Sequence, residues 1–221
     1  PATCASGWLI SACEASYPGW HFSRLLDFKV LKGVTFDGKI QEYEITLEKQ
    51  ETNTGEKVIE AVVTSATDKG RRIFHYSSTV ILSRELPSAP VHPVTGFAKL
   101  AMVEGSNFYE DGTLFHGPLF RGIQQVAFDQ REKVITKINL PLMNDRTQGQ
   151  FPVGSTNPFI NDAIVQSLLI WSQENYAAPC LPSRLKEWVQ YRPIPFGVPI
   201  WAVLTVTYHS EHAVAGDILV I

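Results

Sequence analysis

Apolar residues follow two different periods along this chain, and the points where one gives way to the other divide it. From Pro1 to Gly19 (PATCASGWLISACEASYPG) small and apolar residues recur at helical spacing, with Pro1 near the start and Pro18-Gly19 ending the run. Four segments of strand character come next, at 22–36, 39–50, 57–67 and 71–83. Asp37-Gly38, Asn53 to Gly55 and Asp68 to Gly70 separate them as hairpin signals, so an antiparallel sheet is predicted. The stretch LPSAPVHPVT (86–95) contains Pro87, Pro90 and Pro93, cannot continue a central strand, and marks a linker. Strand character resumes at 120–130 and 133–141. A loop rich in Gly, Pro and Asn leads to a helix from 158 to about 175, and strands at 186–192, 199–210 and 212–221 follow.

The second helix, within NPFINDAIVQSLLIWSQ (157–173), has a clear start. Asn157 can cap it, and Pro158 suits the first helical position, where an N–H would have no partner. Ile160, Ala163, Ile164, Leu168 and Trp171 cover one side; Val165, Leu169 and Ile170 cover much of the rest. A helix apolar all round belongs in a core. One such helix joined to a strongly twisted antiparallel sheet is best buried when the sheet wraps around it, which is the hot-dog arrangement. The pattern occurs twice, so the predicted fold is α+β, a double hot-dog with two long buried helices each wrapped by an antiparallel β-sheet. The predicted division is an N-terminal hot-dog over 1–85 lacking its upstream strands, a linker over 86–110, and a C-terminal hot-dog over 111–221.

Composition narrows the function classes. With 221 residues, 44% hydrophobic and 19% charged, the chain has the make-up of an ordinary soluble globular protein. A net charge of −3 supplies no basic field to gather nucleic acid. The longest apolar run, 198–206, is far short of the roughly 20 residues that span a bilayer, and no signal peptide is evident, so no membrane partner is predicted. Cys4, Cys13 and Cys180 are odd in number and not closely spaced, which points to a reducing, cytoplasmic compartment without a disulfide framework or zinc site. His209 and His212 flank a turn with no further ligand types arranged beside them, so no metal site is predicted. His75, in the alternating stretch IFHYSSTVIL, reads as a surface or sheet residue. A start at Pro1 with residues already of helical character points to a piece of something larger.

Asp162 and Gln166 break the apolar rule of the second helix one turn apart. A carboxylate inside a core must be hydrogen-bonded, neutralised by a raised pKa, or facing a cavity. Gln166, at i+4 on the same face, can serve as its partner.

These residues also carry a resemblance. DAIVQ (162–166) resembles the DxxxQ motif of the dehydratase domains of polyketide synthases and related fatty acid synthases, which are double hot-dog folds. FHGPLFRG (115–122) resembles that family's YGPxFQG segment, and Pro1 with its small-residue helix resembles the end of its HxxxGxxxxP motif. DGTLFHGPLFRGI, APCLPSRLKEW and FKVLKGVTFDG are similar to the dehydratase-like domains of polyunsaturated fatty acid synthases. The sequence departs from the polyketide pattern at His116, where Tyr is usual, and at Arg121, where Gln is usual. The family Tyr is associated with the substrate hydroxyl, so its replacement bears on the substrate contacts.

The resemblance implies a 3-hydroxyacyl-[acyl-carrier-protein] dehydratase domain of an iterative synthase, eliminating water to give a 2-enoyl thioester. Asp162 would be the acid and Gln166 its support; His116, Gly117, Pro118, Phe120 and Pro1 would lie against substrate. No cofactor is implied beyond the phosphopantetheine of an acyl carrier protein, which carries the substrate. Acyl carrier protein and other synthase domains are the implied partners, and a homodimer is an assembly it allows. The base is the family's histidine, nine residues before the motif's Pro and so not among these residues, and activity is not predicted for them alone. Two further readings stay open, a non-catalytic scaffold domain of the same synthase class and a product template (cyclase) domain. Plainer readings stand beside these. Asp162 and Gln166 can be a satisfied core pair, Gly117-Pro118 a simple turn, and His116 a packing residue. Arg71, Arg72, Arg184 and Lys186 can meet an acidic carrier protein or simply sit in solvent.

Overall fold

A computed structural model describes residues 1–35, 41–51, 55–91, 96–97 and 100–221. In chain order its elements are α1 (Ala2–Ser16), β1 (His21–Val30), β2 (Glu44–Gln50), β3 (Lys57–Ala66), β4 (Arg72–Ser83), β5 (Val103–Glu104), α2 (Ser106–Glu110), a 3-10 turn (Pro118–Phe120), β6 (Ile123–Phe128), β7 (Lys133–Ile138), α3 (Asp145–Gln148), α4 (Pro158–Tyr176), β8 (Arg184–Val189), β9 (Ile200–His209) and β10 (Val214–Val220). The chain forms two compact units, one of Pro1–Ala89, Phe151–Thr156 and Pro182–Pro193, the other of Pro90–Gln150, Asn157–Leu181 and Ile194–Ile221.

In the first unit α1 packs on an antiparallel sheet ordered β2-β3-β4-β1-β8. Leu9, Ile10 and Cys13 of the helix meet Phe22, Leu25, Ile59, Val80 and Leu82 of the strands in one buried cluster. The predicted strand 22–36 ends at Val30 because the N–H groups of Leu31 and Lys32 both turn to His75 O, at 2.9 and 3.2 Å. The expected turn at Asp68 to Gly70 is present, with Gly70 at φ +72° and its N–H on Thr67 O at 2.8 Å. Asp37-Gly38, Asn53 and residues 92–95 of the proline-rich stretch fall outside the described residues.

In the second unit α4 packs on β7, β9 and β10 of an antiparallel sheet ordered β10-β9-β7-β6-β5. Trp171, Phe159, Ile135, Ile138 and Leu140 are among its fully buried side chains.

Two expectations are corrected. The strand near 186–192 does not belong with the second helix's sheet: β8 pairs with β1, placing Leu25 opposite Trp188, and Trp188 meets Phe22 edge-on with centroids 5.1 Å apart. Strand character does not reveal a partner, and the free edge of β1 took this one. The stretch 86–110 is not all linker, because β5 pairs with β6 and α2 follows, so β5, β6 and β7 precede α4 among the described residues. These are elements of two and five residues, too short for periodicity to show. His75 is a sheet residue, one of the two places expected for it. It is buried between Ser65 Oγ (2.8 Å) and Lys32 O (3.0 Å).

Candidate active site

α4 begins as its sequence dictates, with the Asn157 side chain accepting the Ile160 N–H at 3.2 Å and Pro158 at the first turn. Its C-terminus is closed by Ala177 in the left-handed region at φ 49°. Buried on nearly every side, the helix carries Asp162 and Gln166 into the core at 4% and 0% exposure. Gln166 Nε2 donates to Asp162 Oδ2 at 3.0 Å and to Phe120 O at 2.9 Å.

Tyr109 determines which way the Gln166 amide points. The Ile123 N–H can only donate, and it donates to Tyr109 Oη at 3.2 Å. The Tyr109 hydroxyl proton is therefore directed to Gln166 Oε1, at 2.8 Å. With Oε1 so occupied, the amide nitrogen faces the carboxyl group, an orientation assigned from the network. Burial pushes the Tyr109 phenol up to about 12, so it keeps this proton at any physiological pH.

The 3-10 turn supplies the other side. Phe120 N–H bonds Gly117 O at 2.9 Å, Arg121 Nε bonds His116 O at 3.0 Å, and the Arg121 guanidinium lies 5.5 Å from the centre of the Tyr109 ring. His116 stacks on Phe115 with centroids 4.6 Å apart and brings Nε2 to 3.3 Å from Asp162 Oδ2. Its Nδ1 is buried and has no hydrogen-bond partner among the described residues. Burial pushes the His116 pKa below the ordinary histidine value, a shift that Asp162 opposes only when ionised, so the ring is neutral near neutral pH.

Of the predicted site residues the structure brings His116, Asp162, Gln166 and the carbonyl of Phe120 together; the Phe120 ring itself packs on Phe159, 5.1 Å away. Gly117 and Pro118 are exposed in the turn, and Pro1, in the first unit, is exposed ahead of α1. A cleft of about 540 Å³ opens on the Tyr109 side, lined by Tyr109, Arg121, Ile123 and Lys137 among others; Asp162 does not line it. Sequence reasoning missed Tyr109, which lay in the supposed linker. Its signal was an amphipathic ring just ahead of the GPLF turn. His209, considered for metal, bonds Tyr176 Oη through Nδ1 at 2.6 Å, and no group of three or more ligand-type side chains occurs among the described residues.

The family described as polyketide synthase dehydratase N-terminal domain matches residues 87–221, more than half of the chain. The chain belongs to the polyketide synthase dehydratase family. This dehydratase-family chain is 30% identical over 220 residues to one of the subunits of the polyunsaturated fatty acid synthase of Thraustochytrium sp., covering 96% of the chain but only 8% of that relative. Among solved structures it is similar to a trans-AT polyketide synthase dehydratase domain from Brevibacillus brevis, with TM-score 0.77, 17% identity, and coverage of 100% of this chain and 79% of that one. It is also similar to the dehydratase domain of RzxB from Pseudomonas fluorescens, with TM-score 0.69, 13% identity, and coverage of 95% and 75%. At these identities the likeness shows the fold, a double hot-dog. Among the described residues of the dehydratase-family chain no helix is long and apolar enough to cross a membrane.

Proposed function

We propose that the chain is a 3-hydroxyacyl-[acyl-carrier-protein] dehydratase domain of an iterative fatty acid or polyketide synthase. In this reading it eliminates water from a 3-hydroxyacyl thioester on phosphopantetheine to leave a 2-enoyl thioester. One observation carries the reading within the family: a buried carboxyl group, Asp162, aligned by Gln166, whose own orientation is set by Tyr109. The reaction needs a base for the C2 proton, an acid for the departing hydroxyl, and donors for the thioester oxygen as charge develops there. Asp162 is the proton source. Gln166 holds it in place, and since both groups sit on rigid α4, little reorganisation is needed as the C–O bond breaks. The resemblance assigns the base to an imidazole outside these residues. Acyl carrier protein and neighbouring synthase domains are the proposed partners.

The test uses the full-length protein with a 3-hydroxyacyl carrier-protein thioester. Wild type forms the enoyl product; Asp162→Asn loses at least about 100-fold in kcat while its melting temperature stays near wild type, because an amide fills the same space and keeps most of the hydrogen bonds. No enoyl product from wild type, or full turnover by the variant, overturns the reading. A non-catalytic scaffold is the second reading, favoured by how completely Tyr109, Gln166 and Asp162 satisfy one another. It predicts no turnover and a clear drop in melting temperature for Asp162→Asn. Cyclised aromatic products from a poly-β-keto chain would instead identify a product template domain.

A further inference from the structure

The geometry points to His116 as a catalytic residue of this reaction, delivering a proton from Nδ1 to the departing hydroxyl while Asp162 replaces that proton across the Oδ2–Nε2 contact. The inference rests on the dehydratase reading and goes beyond it, because the acid becomes a pair within one unit, Asp162 from α4 and His116 from the segment before the 3-10 turn.

The two ring nitrogens of His116 have different surroundings. Nε2 sits 3.3 Å from Asp162 Oδ2, the oxygen that already accepts the Gln166 N–H, while Nδ1 is buried with no partner among the described residues. The side chain is only 11% exposed. A buried polar atom without a partner calls for an explanation, and beside a buried carboxyl group a polar substrate atom supplies one. Nor is the ring free to reach a partner by turning. Arg121 holds the His116 carbonyl, Phe115 stacks on one face, and Asp162 fixes one edge. The charged or titratable groups placed around it in this unit are Asp162 from α4, Tyr109 from α2 and Arg121 after the turn. Tyr109 remains a neutral donor committed to Gln166, and Arg121 is directed at the His116 carbonyl and the Tyr109 ring. Asp162 is therefore the member of this set positioned to exchange a proton with the imidazole.

The step balances. Before reaction the neutral imidazole carries its proton on Nδ1 and accepts Asp162 Oδ2–H at Nε2. The C2–H electron pair forms the C2=C3 bond, and the C2 proton passes to an imidazole base supplied from outside these residues. The C3–O pair leaves with oxygen, which takes the Nδ1 proton and departs as water. Asp162 passes its proton to Nε2, leaving a carboxylate that accepts N–H bonds from His116 and Gln166. Return of one proton from the base by way of solvent resets the pair.

Three substitutions in the full-length protein test this. His116→Gln restores a donor at Nε2, His116→Asn restores one at Nδ1, and His116→Phe restores neither; no amide can pass a proton through. All three should lower kcat by about 100-fold or more with smaller changes in KM. His116→Gln within a few-fold of wild type would show that the ring merely props Asp162, and His116→Asn at that level would show that Nδ1 merely binds substrate. Either result overturns the inference while leaving Asp162 as the acid. A second readout needs no turnover: 15N spectra of the histidine-labelled protein should show Nδ1 protonated and Nε2 accepting, and should change on Asp162→Asn. The opposite tautomer in wild type overturns the inference even if dehydration is observed. An inactive wild type counts against the dehydratase reading itself.

Discussion

Tyr109 shows how much of this site depends on a single hydroxyl. Its oxygen accepts the Ile123 N–H and its proton goes to Gln166 Oε1, so one group closes the ladder beside β6 and orients the amide that faces Asp162. Tyr109→Phe keeps the ring under Arg121 and removes that link, leaving a buried N–H and a buried amide oxygen unmatched. The expected cost is about 1–3 kcal/mol in urea unfolding. Turnover should fall on the order of tenfold, the rate equivalent of about 1.4 kcal/mol, because Gln166 is no longer held to one orientation. A stability within a few tenths of a kcal/mol of wild type would show that water already shares these bonds. At this scale the sequence revealed Asp162 and Gln166 because polar residues on an apolar helix violate a pattern that can be counted. It did not reveal Tyr109 as their partner, or that His116 meets the same oxygen, since those contacts join residues tens of positions apart with no period to connect them.

Elements were readable in proportion to their length. α1 and α4 run close to their predicted spans, and β3, β4, β9 and β10 were placed to within about two residues, because seven or more residues of consistent period outweigh a local exception. α2 and β5 escaped notice although the site hangs on them. Gly105 joins them, and a Cβ built there would stand 2.2 Å from the carbonyl oxygen of Ile123 and 2.9 Å from the carbonyl carbon of Gln124. Backbone cannot step aside as a side chain can. Gly105 N–H also donates to Gln124 O at 2.7 Å, so the approach is held by a bond as well as permitted by the missing side chain. Gly105→Ala should therefore push α2 off β6 and carry Tyr109 away from Gln166. A loss of at least about 1–3 kcal/mol, the range for overpacking, is expected in thermal or urea unfolding. The same change at Gly117, where no atom of the described residues lies within 4 Å of an added Cβ, should have little effect on stability. Equal melting temperatures for the two variants would mean that α2 is not anchored as described.

The molecule as a whole does not divide where the chain's pattern suggested, because the first unit takes back two pieces of the second half, Phe151–Thr156 and Pro182–Pro193. Sequence patterns follow the chain in order and contain no instruction to return, so this was not readable. The returning pieces are built into the unit. Glu14 at the end of α1 accepts the Phe22 N–H at 2.8 Å and the Ser155 hydroxyl at 2.9 Å, while the Gln190 side chain donates to Ser155 O and its backbone N–H bonds Ser23 O at 2.8 Å. Phe151 stacks on Trp8 at 5.1 Å, and Trp188 covers Phe22. Cutting after Ala89 would remove β8 from the edge of β1, open those hydrogen bonds, and expose the faces of Trp8 and Phe22 to water. An unpaired edge beside exposed apolar surface favours self-association. A protein of residues 1–89 is therefore expected to aggregate or to unfold without a cooperative transition, as read by light scattering and near-ultraviolet circular dichroism. Joining residues 182–193 to it through a flexible Gly/Ser linker should recover part of the cooperative signal by restoring the β1–β8 pair. If residues 1–89 alone melted cooperatively at the temperature of the intact chain, the returning segments would be decoration on a unit complete without them.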